Sequence, residues 1–565
     1  MNRRKTLLSS STLLTIVVAA NVSCSVNGMM PNRENFGTAW QTVSCKTFDV
    51  PNSIAAPGCV LLRGLGVPGS CVPCPSRVSG PFGGGGAACA ARPLRPRTTR
   101  FFGRVFLPHQ SDCGYVTVPE QHEQADGRTI QLAVVRVRST GNMPAPDPLF
   151  VEQGGPGDTT IGVFVNAAIP GKSPGLITIL KSRDLIFVEE RGTRYSKPFL
   201  SCPEINAYKI AVAKGEKEAT DPGWIKACND RFKSQGIDTS AFNTRENATD
   251  IYFVAKTLGY RQFNFYGGSY GTLLGEYVIA QTDKHQAKLR SAILDGVMRP
   301  DIDFNLASSH TISYALRTVF HDCAQDQRCS HTYPNLEQKF LTVVDQLNQN
   351  PIPITLTVPS SKDTIATKLD GTTLIDGILP SLYGTTDAND VPRLVHAASQ
   401  GDFRWIEKPL SNALVTGNAR EMYHTVLCAR TKSLGVSPSQ VLPVPYPQVL
   451  PLGKREADSV RRACEVINVE LKPPFIYENR ETPILVLNGA YDPVTPQPYG
   501  QAVASNFKTA HVFTFPSVGH ISLILKPGLP AAACSAQIAA AFLNNPIQPP
   551  DSSCLSLIKP AFVYE

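Results

Sequence analysis

The chain has 565 residues, 42% of them apolar and 18% charged, which excludes general disorder and is long enough for two or three folded regions. Its net charge of +8 (54 basic against 46 acidic residues) is partly local, because Arg92, Arg95, Arg97, Arg100 and Arg104 crowd one Pro-containing stretch. With no aromatic residue interleaved before Phe101 and no recognisable nucleic-acid module, that stretch reads as a solvated linker, and no nucleic-acid partner is expected.

At the N-terminus, Asn2-Arg3-Arg4-Lys5 precedes a short apolar stretch from Leu7 to Ala20, with Val18 and Ala20 at the −3 and −1 positions of a cleavage site. This predicts a signal peptide over residues 1–23. The stretch is too short to span a membrane, and no later run is long and apolar enough to predict a transmembrane segment. Cys24, preceded by Val22-Ser23, is an alternative lipid-anchor position, although Asn21 stands where an aliphatic residue is wanted. The expected location is secreted, periplasmic or in the cell envelope. Fifteen cysteines in an exported chain point to disulfides; with Cys24 set aside, the remaining fourteen allow seven pairs.

Residues 24–112 form a Cys/Gly/Pro-rich extension. Cys71-Val72-Pro73-Cys74 has no second CxxC to complete a zinc site, and Gly83 to Gly86 reads as a flexible connection. Gly171-Lys172-Ser173 does not make a phosphate loop, because Asn166 stands where that loop needs glycine. No metal and no cofactor are expected.

From Cys113 the pattern changes to strands alternating with helices, which predicts a mostly parallel sheet flanked by helices. Tyr115–Val118 and Ile130–Val137 read as strands joined by a turn at Asp126-Gly127. Leu149–Val151, Leu185–Val188, Phe263–Phe265 and Ala292–Leu294 continue the series. Ile251, Val254, Ala255 and Leu258 repeat at helical spacing, and Gly259 closes that helix. Residues 113–299 are thus the first part of the core. Residues 300–474 lose the strand rhythm and read as an inserted helical cap. Ile484–Leu487 and Val512–Phe515 restore the rhythm in a final core part, 475–565.

Four motifs fall at predicted strand ends. Gly267-Gly268-Ser269-Tyr270-Gly271 follows one strand and precedes the helix-compatible Thr272–Tyr277. It has the G-x-S-x-G form, in which small residues flank a serine on a sharp strand-to-helix turn. Ser269 is the candidate nucleophile. Asp492, in Asn488-Gly489-Ala490-Tyr491-Asp492-Pro493, is the candidate acid, and His520, after Ser517-Val518-Gly519, is the candidate base. His511 is a rival base at the wrong end of its strand. Gln153-Gly154-Gly155-Pro156-Gly157 supplies glycine N–H groups, and those of Gly155 and Tyr270 are the candidate oxyanion hole.

Gly-Gly-Pro-Gly at 154–157, Glu190-Arg191-Gly192-Thr193 with Ser196, Gly-Gly-Ser-Tyr-Gly at 267–271, Asp-Pro-Val-Thr-Pro at 492–496 and Gly-His at 519–520 together resemble the proline iminopeptidase and tripeptidyl-aminopeptidase-like α/β hydrolases. The resemblance runs from about Cys113 to the C-terminus. It implies the α/β-hydrolase fold and a metal-independent serine exopeptidase that releases N-terminal residues or short peptides through an acyl-enzyme. Proximity in sequence and this likeness together suggest the pairs Cys202–Cys228, Cys323–Cys329, Cys428–Cys464 and Cys534–Cys554. The chain departs from the pattern with Gln153 where histidine is usual in proline iminopeptidases, Glu189-Glu190 where Asp-Gln precedes Arg-Gly-Thr, and Ile521 where glycine is frequent after the histidine.

A carboxylesterase acting on small acyl esters needs the same groups, and a non-catalytic envelope binding protein could keep the scaffold. A peptidase of this kind would bind a substrate amine with cap carboxylates, for which Asp370, Asp376, Asp387, Asp390, Glu407 and Glu421 are available.

Overall fold

The computed structural model describes residues 39–50, 111–124, 127–430, 435–467, 469, 477 and 479–564. The expected signal peptide, Cys24, the CxxC at 71–74, the glycine run, the arginine stretch and the turn residue Asp126 lie outside the described residues.

Alternating apolar runs with both faces covered give strands that read as nearly continuous hydrophobic sequence. Among the described residues, nine strands, the central ones of this kind, form one sheet. They are β1 (Trp40–Thr42), β2 (Ser111–Pro119), β3 (Thr129–Val137), β4 (Leu149–Glu152), β5 (Leu185–Val188), β6 (Gln262–Gly268), β7 (Lys288–Asp295), β10 (Ile484–Gly489) and β11 (Ala510–Phe515). The order is β1-β2-β3-β5-β4-β6-β7-β10-β11. The first four are joined antiparallel, and from β5 onward every neighbour is parallel. This is the α/β-hydrolase sheet. Period-two alternation sends Val134, Phe150, Ile186, Phe265, Leu294 and Val486 to one face. Val135, Val151, Phe187, Tyr266, Ile293 and Leu487 go to the other. All are almost completely buried.

Two features differ from the sequence reading. Residues 39–50, counted there with the extension, supply an edge strand: Trp40 pairs opposite Val116, and Cys45 is bonded to Cys113. The inserted segment is also not wholly helical. β8 (Ile352–Thr357) and β9 (Thr364–Leu369) form an antiparallel hairpin inside it. Pro353 hid the hairpin, because proline argues against a strand unless the strand lies at an edge, as β8 does in its two-stranded sheet.

The cap has its own core, built on Leu316, Phe320, Phe340, Leu374 and Ile378 and reached from the sheet by Tyr491. The helices Arg420–Arg430 and Leu450–Ile467 behave differently. Their Met422, Val426, Ala463 and Ile467 join the cluster covering the sheet, so these two helices connect cap and core. They are bonded through Cys428–Cys464; Cys202–Cys228, Cys323–Cys329 and Cys534–Cys554 complete the pairs that the likeness implied.

Arg191 locks the loop after β5. It is fully buried, grips both carboxylate oxygens of Asp250 (2.8 and 2.7 Å), and donates to the carbonyls of Glu120 and Ala241. Burial alone would raise the Asp250 pKa, but Arg191 and His122 outweigh it and hold the carboxyl below its usual range. Arg191→Met should therefore destabilise the fold by about 3–5 kcal/mol by stranding a buried carboxylate. Denaturant unfolding measures this, and a loss below about 1 kcal/mol would show that the pair is dispensable.

Candidate active site

The chain must reverse sharply between β6 and the helix Tyr270–Gln281, and Ser269 takes φ 56° and ψ −124° there. A serine in this region is strained, and such strain persists only where the surroundings impose it. Glycine is required on both sides. A Cβ on Gly267 would collide with the Gly271 carbonyl, and one on Gly271 would lie 2.8 Å from the Gln153 carbonyl oxygen. Ser269 is only partly buried, and its hydroxyl makes no hydrogen bond to a described residue.

Asp492 and His520 are brought together. Asp492 Oδ2 lies 2.7 Å from His520 Nδ1, while its Oδ1 accepts the N–H groups of Val494 and Thr495, each at 2.8 Å. Thr495 Oγ1 donates to Asp492 Oδ2 (2.7 Å) and lies 3.1 Å from His520 Nδ1. The sequence reading quoted Thr495 only as part of a motif. This arrangement places the imidazole proton on Nδ1 and leaves Nε2 free to act as a base. Burial opposes both charges, yet each partner outweighs it for the other. The Asp492 carboxyl is held below its ordinary range, and the His520 imidazole is pushed up. His511 stands apart, with Nε2 3.2 Å from the Pro546 carbonyl.

The sequence reading missed Asp295, at the end of β7. Its backbone carbonyl accepts the Ser269 N–H at 2.9 Å, and its carboxylate accepts the N–H groups of Ser522 and Leu523, the Ser522 hydroxyl and the Tyr266 hydroxyl. One residue thus ties the serine turn to the histidine loop. In that loop Ile521, where glycine is frequent, adopts φ 68°, and its Cδ1 would be 3.1 Å from a Cβ on Gly268.

Gly154 packs directly on the serine: a Cβ there would sit 2.5 Å from Ser269 Cβ and 3.0 Å from its Oγ. Gly155 follows at φ 116°. Among the described residues, the N–H groups of Gly155 and Tyr270 donate to no protein acceptor, so both remain available beside the hydroxyl. Beneath this loop lie Glu152, Glu189 and Glu190, whose pKa values burial raises; Glu189 reaches about 7 although Ile161, Thr159, Thr193 and Tyr195 bond to it. The Gln153 Oε1 atom is buried without a partner among the described residues.

The cap meets the site through Tyr383, whose ring is 5.3 Å from the His520 ring and whose carbonyl accepts the His520 N–H at 2.9 Å. The six cap carboxylates are not gathered here. Asp370 caps its own helix at Thr373, Asp376 pairs with Arg455, Asp387 with Thr386, and Asp390 with Arg393. Glu407 accepts from Thr357, and Glu421 from Asn229. Among the described residues, Cys202, Cys228 and Glu421 alone have metal-ligand spacing, and both sulfurs are consumed by their disulfide.

Residues 449–554 match the family model described as TAP-like protein. Tripeptidyl aminopeptidase of Streptomyces lividans is 29% identical over 205 residues, which is 35% of this chain and 37% of that protein. Serine protease Hip1 of Mycobacterium bovis is 26% identical over 245 residues, 40% of this chain and 44% of the relative. Carboxylesterase B of Mycobacterium tuberculosis is 31% identical over 134 residues, 22% of this chain and 25% of its own length. The chain thus spans less than half the length of each of these relatives. The solved proline iminopeptidase of Mycobacterium smegmatis aligns with 76% of this chain and 98% of its own, at 15% identity and a TM-score of 0.34. No described helix is long and apolar enough to cross a membrane.

Proposed function

We propose that the protein is a serine exopeptidase that removes N-terminal residues or short peptides through an acyl-enzyme on Ser269. The observation that carries this reading is the Asp492–His520 pair at 2.7 Å, on a loop that Asp295 ties to a strained serine with two unengaged N–H groups beside it. Relatives named as a tripeptidyl aminopeptidase and a serine protease support the peptidase class.

In this mechanism Ser269 Oγ attacks the scissile carbonyl while His520 Nε2 takes its proton. Asp492 holds the imidazole tautomer and stabilises the imidazolium that forms. The N–H groups of Gly155 and Tyr270 meet the developing oxyanion, each contributing about 3–4 kcal/mol. His520 then delivers its proton to the leaving amine, and a water molecule activated by the same base releases the acyl group. The five described disulfides suit an oxidising compartment, and we place the protein outside the cytosol, secreted or in the cell envelope.

A matched pair of chromogenic amides, one with a free α-amine and one N-acetylated, tests the reading, with p-nitrophenyl acetate as a third arm. The free-amine amide should be cleaved far faster than the acetylated one. Because the base must be neutral and its pKa is raised, kcat/KM should fall on acidification at a pH above the ordinary imidazole midpoint of about 6.5. It should also fall at high pH, as a substrate amine of pKa about 8 loses its proton. Equal rates on the two amides would remove the aminopeptidase reading. Turnover of the ester alone would move the assignment to carboxylesterase, the activity named for one relative.

A further inference from the structure

An exopeptidase that selects a free N-terminus has to compensate an ammonium withdrawn from water, which calls for a carboxylate within reach of the nucleophile. The six cap carboxylates named above are not gathered at the serine, whereas the glycine loop carries a carboxylate of its own. Asp158 fits. It follows the glycine loop directly, its N–H donates to the Gly154 carbonyl at 3.4 Å, and its Cγ lies 3.3 Å from where a Cβ on Gly155 would be. Since Gly154 of that loop packs on Ser269, the Asp158 carboxylate belongs to the segment that lies against the nucleophile.

Asp158 is also prepared as an acceptor. The Asn418 amide donates to Oδ1 and fixes the carboxylate, while Oδ2 has no partner among the described residues and remains solvent-accessible. Ala419, beside Asn418, is bound to Gly157, its N–H donating to the Gly157 carbonyl at 2.9 Å, so cap and loop hold the carboxylate from both sides. Tyr383 and Tyr423 close the neighbourhood. Tyr383, whose ring is 5.3 Å from that of His520, keeps 40% of its surface accessible, and its hydroxyl feels the charges of both Asp492 and Asp158. Aromatic faces of this kind also favour a cation. Arg420, whose guanidinium lies 4.1 Å above the Tyr423 ring, is the cation that opposes burial at Asp158 among the described residues, where the two make no ion pair. Burial prevails, setting the carboxyl pKa at about 6, so the group is charged at neutral pH.

We infer that Asp158 binds the protonated α-amino group of the substrate and so determines specificity for free N-termini. The inference rests on the aminopeptidase reading and assigns that recognition to the loop beside the nucleophile.

The test compares Asp158→Asn with the parent enzyme on the free-amine and N-acetylated amides, with p-nitrophenyl acetate reporting on the catalytic groups. The parent should prefer the free amine. In the variant, KM for that substrate should rise tenfold or more, the preference over the acetylated amide should fall by the same factor, and kcat should change much less. If the parent is selective and the variant equally so, the amine is held elsewhere and the inference is wrong while the aminopeptidase reading stands. If the variant loses all three activities in proportion, Asp158 merely supports the loop, which also overturns the inference. A parent with no preference removes the aminopeptidase reading, and the inference with it. Asp158→Ser provides the same comparison if the asparagine variant does not fold.

Discussion

Ser269→Ala should lower kcat by about 10⁶-fold, leaving a residue of activity due to binding and the oxyanion groups. The size follows from the geometry. Ser269 is held at φ 56° by glycines on either side and by the Asp295 carbonyl, so alanine takes the same backbone and removes only the hydroxyl. No neighbouring hydroxyl is placed to replace it: Thr272 Oγ1 is committed to the Ser269 carbonyl at 2.6 Å, and Thr495 Oγ1 to Asp492. His520→Ala should cost about as much, and the double variant should be no worse than either single one, because the groups act as a unit. Labelling with a fluorophosphonate should disappear in Ser269→Ala, and a variant that kept the parental rate would refute the assignment.

Asp492→Asn should lower kcat by about 10⁴-fold with little change in stability. The carboxylate receives four hydrogen bonds, from the Val494 and Thr495 N–H groups, Thr495 Oγ1 and His520 Nδ1. An asparagine can keep its oxygen toward the two backbone donors, which turns its NH₂ toward His520. The imidazole must then accept at Nδ1 and carry its proton on Nε2, where it cannot receive the serine proton. The imidazolium also loses the charge that pushes its pKa up, so the acidic limb of the pH profile should move to lower pH with the residual activity. Steady-state kinetics across pH distinguish this from unfolding. A variant with the parental pH profile would show that Asp492 does not face the base.

The sequence displayed the parts whose pattern is local. Strands buried on both faces leave apolar runs such as Leu185–Val188 and Ile484–Leu487, and the serine turn needs glycines at fixed spacing, so both could be read directly. Hidden were the parts whose meaning comes from partners far away in sequence. Three residues, Trp40–Thr42, carry no strand signal by themselves and become an edge strand through β2 and the Cys45–Cys113 bond. Asp295 looks like any aspartate at a strand end until Ser522 and Leu523 arrive from 227 and 228 residues away. The family resemblance points to cap carboxylates as the amine acceptor. Yet Asp370, Asp390 and Asp376 serve a helix cap, a neighbouring arginine and a bridge to Arg455, whereas Asp158 sits beside a glycine loop whose sequence signals only N–H donors.

Cysteine order has a consequence for how the chain acquires its bonds. Cys202–Cys228, Cys323–Cys329, Cys428–Cys464 and Cys534–Cys554 each join neighbours in the succession of cysteines. A polypeptide threaded N-terminus first into an oxidising compartment, and oxidised as it emerges, makes these four by pairing each newcomer with the thiol just before it. Cys45 is the exception, since Cys59, Cys71, Cys74 and Cys89 all appear before Cys113 does. Its partner instead lies on β2, the strand on which β1 pairs, so this bond follows contact across the sheet edge and not cysteine order.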